Sequence, residues 1–220
     1  MPKIALFDMD RTIVKFGTYT PFLLRYTLSH APWRLLFAPV VILCMLAYKA
    51  KIFSRKQLKE IMFALLVGRV KTDKMRAFAG TYAETIVPKD CFSEAINALN
   101  AHREAGDITV LATASFAFYV EPIAKLLGFD HVVGTGLTEE AGRFRAKVPG
   151  ENCYGDAKRQ MVEDLIKAEG LKYDGIRFYT DDHSDIPTME LATEGVVVNP
   201  TPKLRAYAEK RDGIEIVNWQ

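Results

Sequence analysis

Short apolar runs alternate with stretches of helical periodicity along the chain. Residues Ile4–Phe7 form an apolar run of the length typical of one buried strand in a parallel sheet. A second apolar run covers 108–113, after a predicted core helix over 89–105. A strand and hairpin are predicted at 131–148, followed by helix, strand, helix and strand. This alternation predicts an α/β fold with a doubly wound parallel sheet.

About a hundred residues separate the first predicted strand from the second. Apolar positions within this stretch, such as Met75, Phe78 and Tyr82, recur at helical spacing, and a further helix is predicted after Pro21. We therefore expect residues 15–87 to form a helical cap domain inserted after the first strand. Residues 1–14 plus 88–220 would form the catalytic core.

Charge is divided unevenly between these two parts. The chain of 220 residues has a net charge of only +2, but residues 11–72 carry eleven Lys or Arg and a single acid, Glu60. This stretch therefore has a charge of +10 and the rest of the chain a charge of −8. The predicted cap is strongly basic, which favours an anionic partner.

An uncharged run, Leu35–Tyr48, lies inside this basic stretch and contains Pro39. Fourteen helical residues rise about 21 Å at roughly 1.5 Å per residue. Because a bilayer core is about 30 Å thick, the run is too short to span it comfortably. It predicts either a buried cap helix, broken at Pro39, or a segment that enters one leaflet of an anionic membrane surface. No motif in the cap indicates a nucleic acid partner.

Candidate chemistry begins directly after the first strand, where two carboxylates, Asp8 and Asp10, lie one residue apart. Ligands bind at the carboxyl ends of the strands in open α/β sheets, so both carboxylates can approach one reacting centre. One would act as a nucleophile and the other as a proton donor and acceptor. Further polar residues follow later apolar strands or open a helix: Thr113, Lys158, Asp181, Asp182 and Asp185.

The order and context of these residues resemble the four motifs of the haloacid dehalogenase superfamily, and finer spacing is similar to its phosphoserine phosphatase branch. The resemblance implies that Asp8 attacks phosphorus and that Asp10 is the acid and base. Mg²⁺ would be held by the Asp8 carboxylate, the Asp10 carbonyl and Asp181, with Asp182 as the competing ligand. The phosphate would be bound by Thr113, Ala114 and Lys158.

Three neighbouring residues have lesser predicted roles. Asp185 is expected to orient the site rather than to touch the reacting atoms. Ser115 is expected to be a loop residue lining the phosphate and not a nucleophile, since no Gly-x-Ser-x-Gly motif surrounds it. His183 lies inside the fourth motif, either solvated or in contact with substrate.

Our leading functional hypothesis is a Mg²⁺-dependent phosphomonoesterase acting on a phosphorylated lipid headgroup at a membrane surface. The cap, with its apolar run and basic stretch, is similar to that of the phosphatidylglycerophosphatase C enzymes. The alternatives are a soluble phosphatase of a small metabolite, a phosphotransferase and a non-catalytic membrane-associated scaffold. Phosphoserine phosphatases carry a Glu at the position of Gly17, where this chain has no acid.

Two features of the sequence, its cysteines and its N-terminus, bear on where in the cell the protein is found. Cys44, Cys91 and Cys153 are odd in number and form no Cys-x-x-Cys pair, so we expect reduced thiols rather than a disulfide framework or a zinc site. We expect no signal peptide. The predicted location is the cytoplasm, including the cytoplasmic face of the membrane. The sequence leaves the oligomeric state open.

Overall fold

The computed structural model describes all 220 residues and is built on a six-stranded, fully parallel sheet. Its strands, in spatial order, are β4 (His131–Thr135), β3 (Ile108–Phe116), β1 (Ile4–Phe7), β7 (Ile176–Thr180), β8 (Glu194–Val198) and β9 (Ile214–Val217). The earliest strand lies near the middle, and strands are added on both sides of it. The prediction of a doubly wound α/β fold is confirmed.

Alternate side chains of the sheet enter two separate cores, one on each face. On β1, Ala5 and Phe7 belong to a cluster that also holds helices α5 (Ser93–Glu104) and α6 (Ala117–Leu127). Ile4 and Leu6 belong to a second cluster with α7 (Asp156–Ala168) and α9 (Pro202–Ala208). Because both faces are covered, every residue of β1 is completely buried, as its continuous apolar run requires.

The insertion, defined here as residues 15–87, is mainly helical. It contains α1 (Tyr19–His30), a 3-10 turn (Pro32–Phe37), α2 (Ala38–Lys49), α3 (Arg55–Leu66), the short strand β2 (Val70–Lys71) and most of α4 (Thr72–Asp90). Ser54 begins α3 with a reciprocal capping box to Gln57.

The chain enters and leaves the insertion at one point. The Lys15 amide donates to the Asp90 carbonyl at 2.8 Å, and the Phe92 amide donates to the Ile13 carbonyl at 2.9 Å. Helix α4 is continuous across the predicted boundary at 87/88, with Pro88 in its last turn, and packs along α6. The structure therefore returns the chain to the core about three residues later than predicted, and the division into two domains stays a prediction.

The hairpin predicted after β4 joins the core to the insertion. It consists of β5 (Glu139–Glu140) and β6 (Arg143–Phe144), and β6 pairs antiparallel with β2. The short helix α8 (Ile186–Met189) follows a 3-10 turn at His183–Asp185. None of the three cysteines is paired.

Helix α2 packs by one narrow face only. Val41, Cys44 and Tyr48 lie one helical turn apart and contact the core, but Val41 is the only buried residue of the segment Pro32–Lys49. The alternative of a buried cap helix is therefore wrong. Pro39 lies in the first turn of α2, where its missing N–H costs no hydrogen bond and where the 3-10 turn ends. By length and composition alone, Pro32–Lys49 is the one helical segment suited to crossing a membrane.

Candidate active site

The three central strands bring the predicted site residues to one edge of the sheet. Strands β3 and β7 both pair with β1, so Thr113, Asp8 and Asp181 lie at the carboxyl ends of three adjacent strands. The Asp8 amide still donates to the Tyr179 carbonyl at 2.9 Å, which fixes the backbone of the first motif against β7. This edge is where open α/β sheets bind their ligands.

A buried lysine links two of the carboxylates. Lys158, in the first turn of α7, donates from Nζ to Asp8 Oδ1 at 2.7 Å and to Asp185 at 2.8 Å. Asp185 Oδ2 also accepts from the hydroxyl of Thr180 at 2.7 Å. Lys158 and Asp185 are each only 2% exposed. Because an unpaired charge would be costly at this depth, the pairs fix all three side chains.

Asp10 is held by donors from the insertion and from β3. Its Oδ1 accepts from the Thr18 amide at 2.9 Å and from the Thr18 hydroxyl at 2.7 Å. Its Oδ2 accepts from the Ser115 hydroxyl at 3.2 Å. The Thr18 hydroxyl in turn lies 3.1 Å from that of Tyr119. Asp10 is thus oriented separately from the Asp8–Lys158 pair.

Thr113 retains a free hydroxyl proton. Its Oγ1 accepts from the Ser115 amide at 3.1 Å, and it donates to no protein acceptor. Because the side chain is 1% exposed, that proton can only be donated locally, into the cavity that Thr113 lines. The role of donor to phosphate, which the resemblance implies for Thr113, stays a prediction.

All the predicted site residues line one cavity of about 300 Å³, which we call the carboxylate cavity: Asp8, Asp10, Thr113, Ala114, Lys158, Asp181, Asp182 and Asp185. His183 lines it too, so its contact with substrate stays a prediction. Ser115 lies within β3, does not line this cavity and donates to Asp10, so its predicted place in a loop lining the phosphate is wrong.

The carboxylate cavity contains more carboxylates than cations, and two of these carboxylates have raised pKa values. Burial raises the pKa of Asp8 to about 7, against the opposing charge of Lys158. Burial also raises the pKa of Asp181 to about 8, and repulsion from Asp8 acts in the same direction. Burial opposes the charge of Lys158, but the carboxylates of Asp185 and Asp8 raise its pKa well above the usual range. The site has more negative charge than its own lysine can offset.

The donor set fits a hard divalent cation. No three His, Cys, Asp or Glu side chains converge as a complete ligand set. The predicted set needs only two carboxylates, from Asp8 and Asp181, together with the carbonyl of Asp10, and all three residues line the cavity. Mg²⁺ prefers oxygen ligands, often uses only one or two protein carboxylates and keeps several waters. The uncompensated negative charge favours the same ion.

Asp182 has a structural task that Asp181 lacks. Its Oδ1 accepts from the Ser184 amide at 2.9 Å and begins the 3-10 turn at His183–Asp185. Burial raises the pKa of Asp182, but the bonds from Ser184 and the proximity of His183 outweigh it and hold that pKa below its usual range. Asp181 accepts no side-chain or capping bond and is 6% exposed, which leaves its oxygens available to a cation.

A second cavity, of about 420 Å³, adjoins the first, and we call it the insertion cavity. The two share Asp10, Arg11, Gly17, Arg55 and Ala114. The insertion cavity extends from Asp10 to residues of helices α1, α2 and α3, among them Tyr19, Met45, Tyr48, Leu58 and Lys59.

Sequence reasoning missed several residues of the two cavities, including Arg11, Arg55, Lys59 and Tyr154, and it also missed Thr18, which holds Asp10. Arg11 follows the acidic pair and has a positive φ of 63°, which is uncommon for a non-glycine residue. In this backbone conformation Arg11 lines both cavities. The basic charge of the insertion was the only sequence signal for Arg55 and Lys59, and it did not distinguish them from its other basic residues.

Known proteins resemble this chain. A probable phosphatase of Mycobacterium tuberculosis is 32% identical over 138 residues, which cover 63% of this chain and 48% of that protein. A phosphoserine phosphatase of the same organism is 32% identical over 119 residues, which cover 54% of this chain and 38% of that protein. The chain thus matches about half or less of the length of these relatives.

A solved structure extends the likeness over the whole chain. A protein of unknown function from Bordetella pertussis Tohama I superposes with a TM-score of 0.86 at 25% identity, covering 99% of both chains. The family model for haloacid dehalogenase-like hydrolases matches residues 5–190, which include every predicted site residue. The resemblance stated from the motifs is confirmed, and the chain belongs to the haloacid dehalogenase-like hydrolase family.

Proposed function

We propose that the protein is a Mg²⁺-dependent phosphomonoesterase that works through an aspartyl-phosphate on Asp8. The proposal rests on one observation. Asp8, the candidate nucleophile, is paired with Lys158, and Asp10, the candidate acid, is held separately in the same cavity. Lys158 keeps Asp8 oriented at 2.7 Å, and the Thr18 and Ser115 donors keep Asp10 oriented beside it.

The chemistry follows from these positions. Asp8 attacks phosphorus, and the bond between phosphorus and the alcohol oxygen breaks as Asp10 donates a proton to that oxygen. Asp10 then accepts a proton from the water that attacks the phosphorus on Asp8, and the bond between phosphorus and the Asp8 oxygen breaks, which releases inorganic phosphate and restores the Asp8 carboxylate. Lys158 and the free Thr113 hydroxyl stabilise the charge on the phosphate oxygens.

Asp8, the Asp10 carbonyl and Asp181 would hold Mg²⁺. When bound, the cation neutralises charge shared by the phosphate and the carboxylates. Asp185, which touches Lys158 and Thr180 but not the reacting groups, keeps the lysine in place.

We further propose a substrate class, a phosphomonoester on a lipid headgroup, taken from an anionic membrane surface. The outward face of α2 exposes Ile42 by 57%, Leu43 by 64% and Leu46 by 55%. Such a contiguous exposed apolar face is uncommon on a soluble monomer and is typical of an interaction surface. Lys49 and Lys51 at its end are exposed cations that suit anionic headgroups.

The position of this face relative to the site supports a lipid substrate. Met45 and Tyr48 of α2 line the insertion cavity, and Met45 is also 38% exposed. The cavity beside Asp10 is therefore continuous with the apolar face. A headgroup would reach Asp10 while its lipid remains in the membrane.

The second candidate is a soluble phosphatase of a small metabolite. It is favoured by the relative named phosphoserine phosphatase. The absence of an acid at Gly17 counts against phosphoserine itself, since Gly17 lines both cavities and offers nothing to an ammonium group.

The test is an assay of purified protein with Mg²⁺ on phosphatidylglycerophosphate in vesicles, on phosphoserine and on p-nitrophenyl phosphate. We expect hydrolysis of the vesicle substrate to exceed that of phosphoserine, and Asp8→Asn to lower kcat by more than about 10³-fold. Asn retains the oxygen that accepts from Lys158, so the variant should fold. Turnover of phosphoserine alone would select the soluble candidate, and full activity of Asp8→Asn would refute the proposed nucleophile.

A further inference from the structure

The turn that follows β1 carries an arginine in a strained backbone conformation. Arg11 comes directly after Asp10 and has a φ of 63°, in the left-handed region that glycine adopts at no steric cost. The turn is rigid, because Met9 and Ile13 are buried and the Met9 carbonyl accepts from the amides of Ile13 and Val14 at 2.9 Å. A glycine would fit this turn with less strain, so the backbone alone does not explain an arginine here.

The Arg11 side chain is free to bind a ligand. Its amide donates to the Val14 carbonyl at 2.6 Å, so the backbone of this residue has no donor left. The side chain is exposed, lines both cavities and forms no ion pair with an acid of the chain. The guanidinium donors are therefore available where the two cavities meet.

The charge of Arg11 acts on the side of the site where phosphate would bind. Asp181, the proposed metal ligand, lines the carboxylate cavity but not the insertion cavity. Burial raises the pKa of Asp181, and repulsion from Asp8 adds to the rise, but the positive charge of Arg11 acts in the opposite direction. Arg11 thus contributes positive charge to the cavity that holds the candidate nucleophile.

A bound substrate would need such a further cation. The carboxylate cavity is lined by five aspartates, and Lys158 with one divalent cation would offset only three of their charges. A phosphomonoester adds about −1.5 to −2 more at neutral pH. Lys158 also uses two of its N–H donors on Asp8 and Asp185, at 2.7 and 2.8 Å. Lys158 and a metal ion therefore leave phosphate oxygens without a partner.

We propose that Arg11 is a catalytic residue that binds the phosphoryl group itself. Its planar guanidinium donates to two phosphoryl oxygens, in the fork geometry that suits phosphate. It keeps this contact while the phosphoryl group passes from the alcohol to Asp8 and from Asp8 to water. The inference rests on the proposed function, because that transfer defines the group that Arg11 holds.

The first test measures kcat/KM of Arg11→Gln on p-nitrophenyl phosphate and on phosphatidylglycerophosphate in vesicles, both with Mg²⁺. The two substrates share only the phosphoryl group, so kcat/KM should fall by a similar factor for both, on the order of 10- to 100-fold. Arg11→Lys retains the charge without the fork and should recover part of the loss. A loss confined to the lipid substrate would mean that Arg11 binds the alcohol, and it would overturn the proposal.

Phosphate binding gives a readout without turnover. Calorimetric titration with inorganic phosphate in the presence of Mg²⁺ should show a Kd that rises by a comparable factor in Arg11→Gln. An unchanged Kd would overturn the role of Arg11, and activity of the wild type would still support the phosphatase proposal. A raised Kd in a protein that hydrolyses no phosphomonoester would overturn the phosphatase proposal instead, with Arg11 kept as a phosphate-binding residue.

Stability measurements separate binding from a structural role. Because glycine adopts the left-handed conformation without strain, Arg11→Gly should unfold at the same urea concentration as the wild type or a higher one, while its kcat/KM falls like that of Arg11→Gln. Ala141→Gly is the matched control, since Ala141 has a φ of 49° in the exposed turn between β5 and β6, outside both cavities. It should unfold in the same way and retain full activity. Joint loss of stability and activity in Arg11→Gly would assign a structural role and overturn the proposal.

Lys15→Gln controls for charge. Lys15 is an exposed cation on the same segment and lines neither cavity. The variant should hydrolyse p-nitrophenyl phosphate and bind inorganic phosphate like the wild type. Equal losses in Lys15→Gln and Arg11→Gln would mean that positive charge anywhere near the site is enough, and they would overturn a direct contact from Arg11.

Discussion

The carboxylate cavity and the outer face of α2 are organised in opposite ways. In the cavity, charged groups are buried, as with Lys158, which is paired with both Asp8 and Asp185. On α2, apolar groups such as Leu43 and Leu46 are exposed and have no partner within the chain. Each arrangement costs free energy for a molecule alone in water. Under the proposed function, each cost would be removed by a ligand of the matching kind: a cation and a phosphate in the first region and an apolar phase in the second.

The comparison also shows which region tolerates change. Residues of the carboxylate cavity are hydrogen-bonded to one another, so a substitution there affects several partners at once. Residues on the outer face of α2 contact almost nothing, so a substitution there should leave the fold unchanged and alter only docking. Asp10→Asn, Asp181→Ala and Leu43→Asp test this difference, from the largest expected effect to the smallest, and Lys59→Met then tests a buried cation that lies in neither region.

Asp10→Asn tests the proposed acid and base. Asn retains an oxygen for the two Thr18 donors, and its amide can donate to the Ser115 hydroxyl, so the local structure should persist. We expect turnover of alkyl phosphates to fall about 10²–10⁴-fold, the usual range for a lost general acid–base. The loss should be smaller for p-nitrophenyl phosphate, whose leaving group needs less protonation.

The matched control is Thr18→Val, which removes one donor to Asp10 but leaves the backbone donor. It should reduce turnover far less than Asp10→Asn. Equal losses for Asp10→Asn with alkyl and nitrophenyl substrates would contradict the role of Asp10.

Asp181→Ala and Asp182→Ala test the metal site. Activity should disappear with a chelator and return with Mg²⁺. Because only Asp181 has oxygens free of structural bonds, Asp181→Ala should raise the Mg²⁺ concentration for half-maximal activity at least about 10–100-fold. Asp182→Ala should mainly loosen the turn that begins at Asp182. Calorimetric Mg²⁺ titration gives the affinity without turnover, and the reverse order of the two variants would assign the ligand to Asp182.

Leu43→Asp tests the membrane face. Each basic residue near an anionic bilayer contributes on the order of 1 kcal/mol. Sedimentation with phosphatidylcholine vesicles should therefore rise when phosphatidylglycerol is added and fall partly at high salt. Leu43→Asp should lower the fraction of protein that sediments with the vesicles severalfold further, because it places a charge where the apolar contact forms.

Leu126→Asp is the control for this experiment, since Leu126 is 52% exposed on α6 of the core. It should sediment like the wild type. Equal behaviour of the two variants, or indifference of the wild type to all vesicles, would refute docking through α2.

Lys59→Met has the smallest predicted effect, on the pH dependence of stability. Burial lowers the pKa of Lys59 from 10.5 to about 7, with Arg55 adding to the shift, so the folded protein binds fewer protons at this group than the unfolded chain between pH 7 and 10.5. The contribution of Lys59 to the free energy of unfolding therefore rises with pH between pH 7 and 10.5. Urea unfolding at pH 7 and pH 9.5 should show wild type gaining stability relative to Lys59→Met, and a constant difference would contradict the shift.

The carboxylate cavity was largely predictable from the sequence because its residues follow strand ends. Asp8, Thr113 and Asp181 each come directly after or within an apolar strand, and the central strands of a parallel sheet bring such positions together. The resemblance of the motifs to those of the family therefore predicted which residues share the cavity without any knowledge of distance. The donors to Asp10 were not predictable, since Thr18 lies in the insertion and no local pattern connects it to the carboxylate.

What the sequence determined by itself was the α/β class, the position of the acidic residues and the basic, apolar character of the insertion. These depend on short-range periodicity and composition, which a chain carries in any conformation. Only the tertiary structure decided that α2 exposes its apolar side chains and that Lys59 is buried without a counter-ion. Burial and pairing depend on which distant segments pack together, such as α2 against α3 and Lys59 against Ala114 and Asn152. Those contacts form only when the core and the insertion are assembled, so the local sequence around α2 or around Lys59 does not determine them.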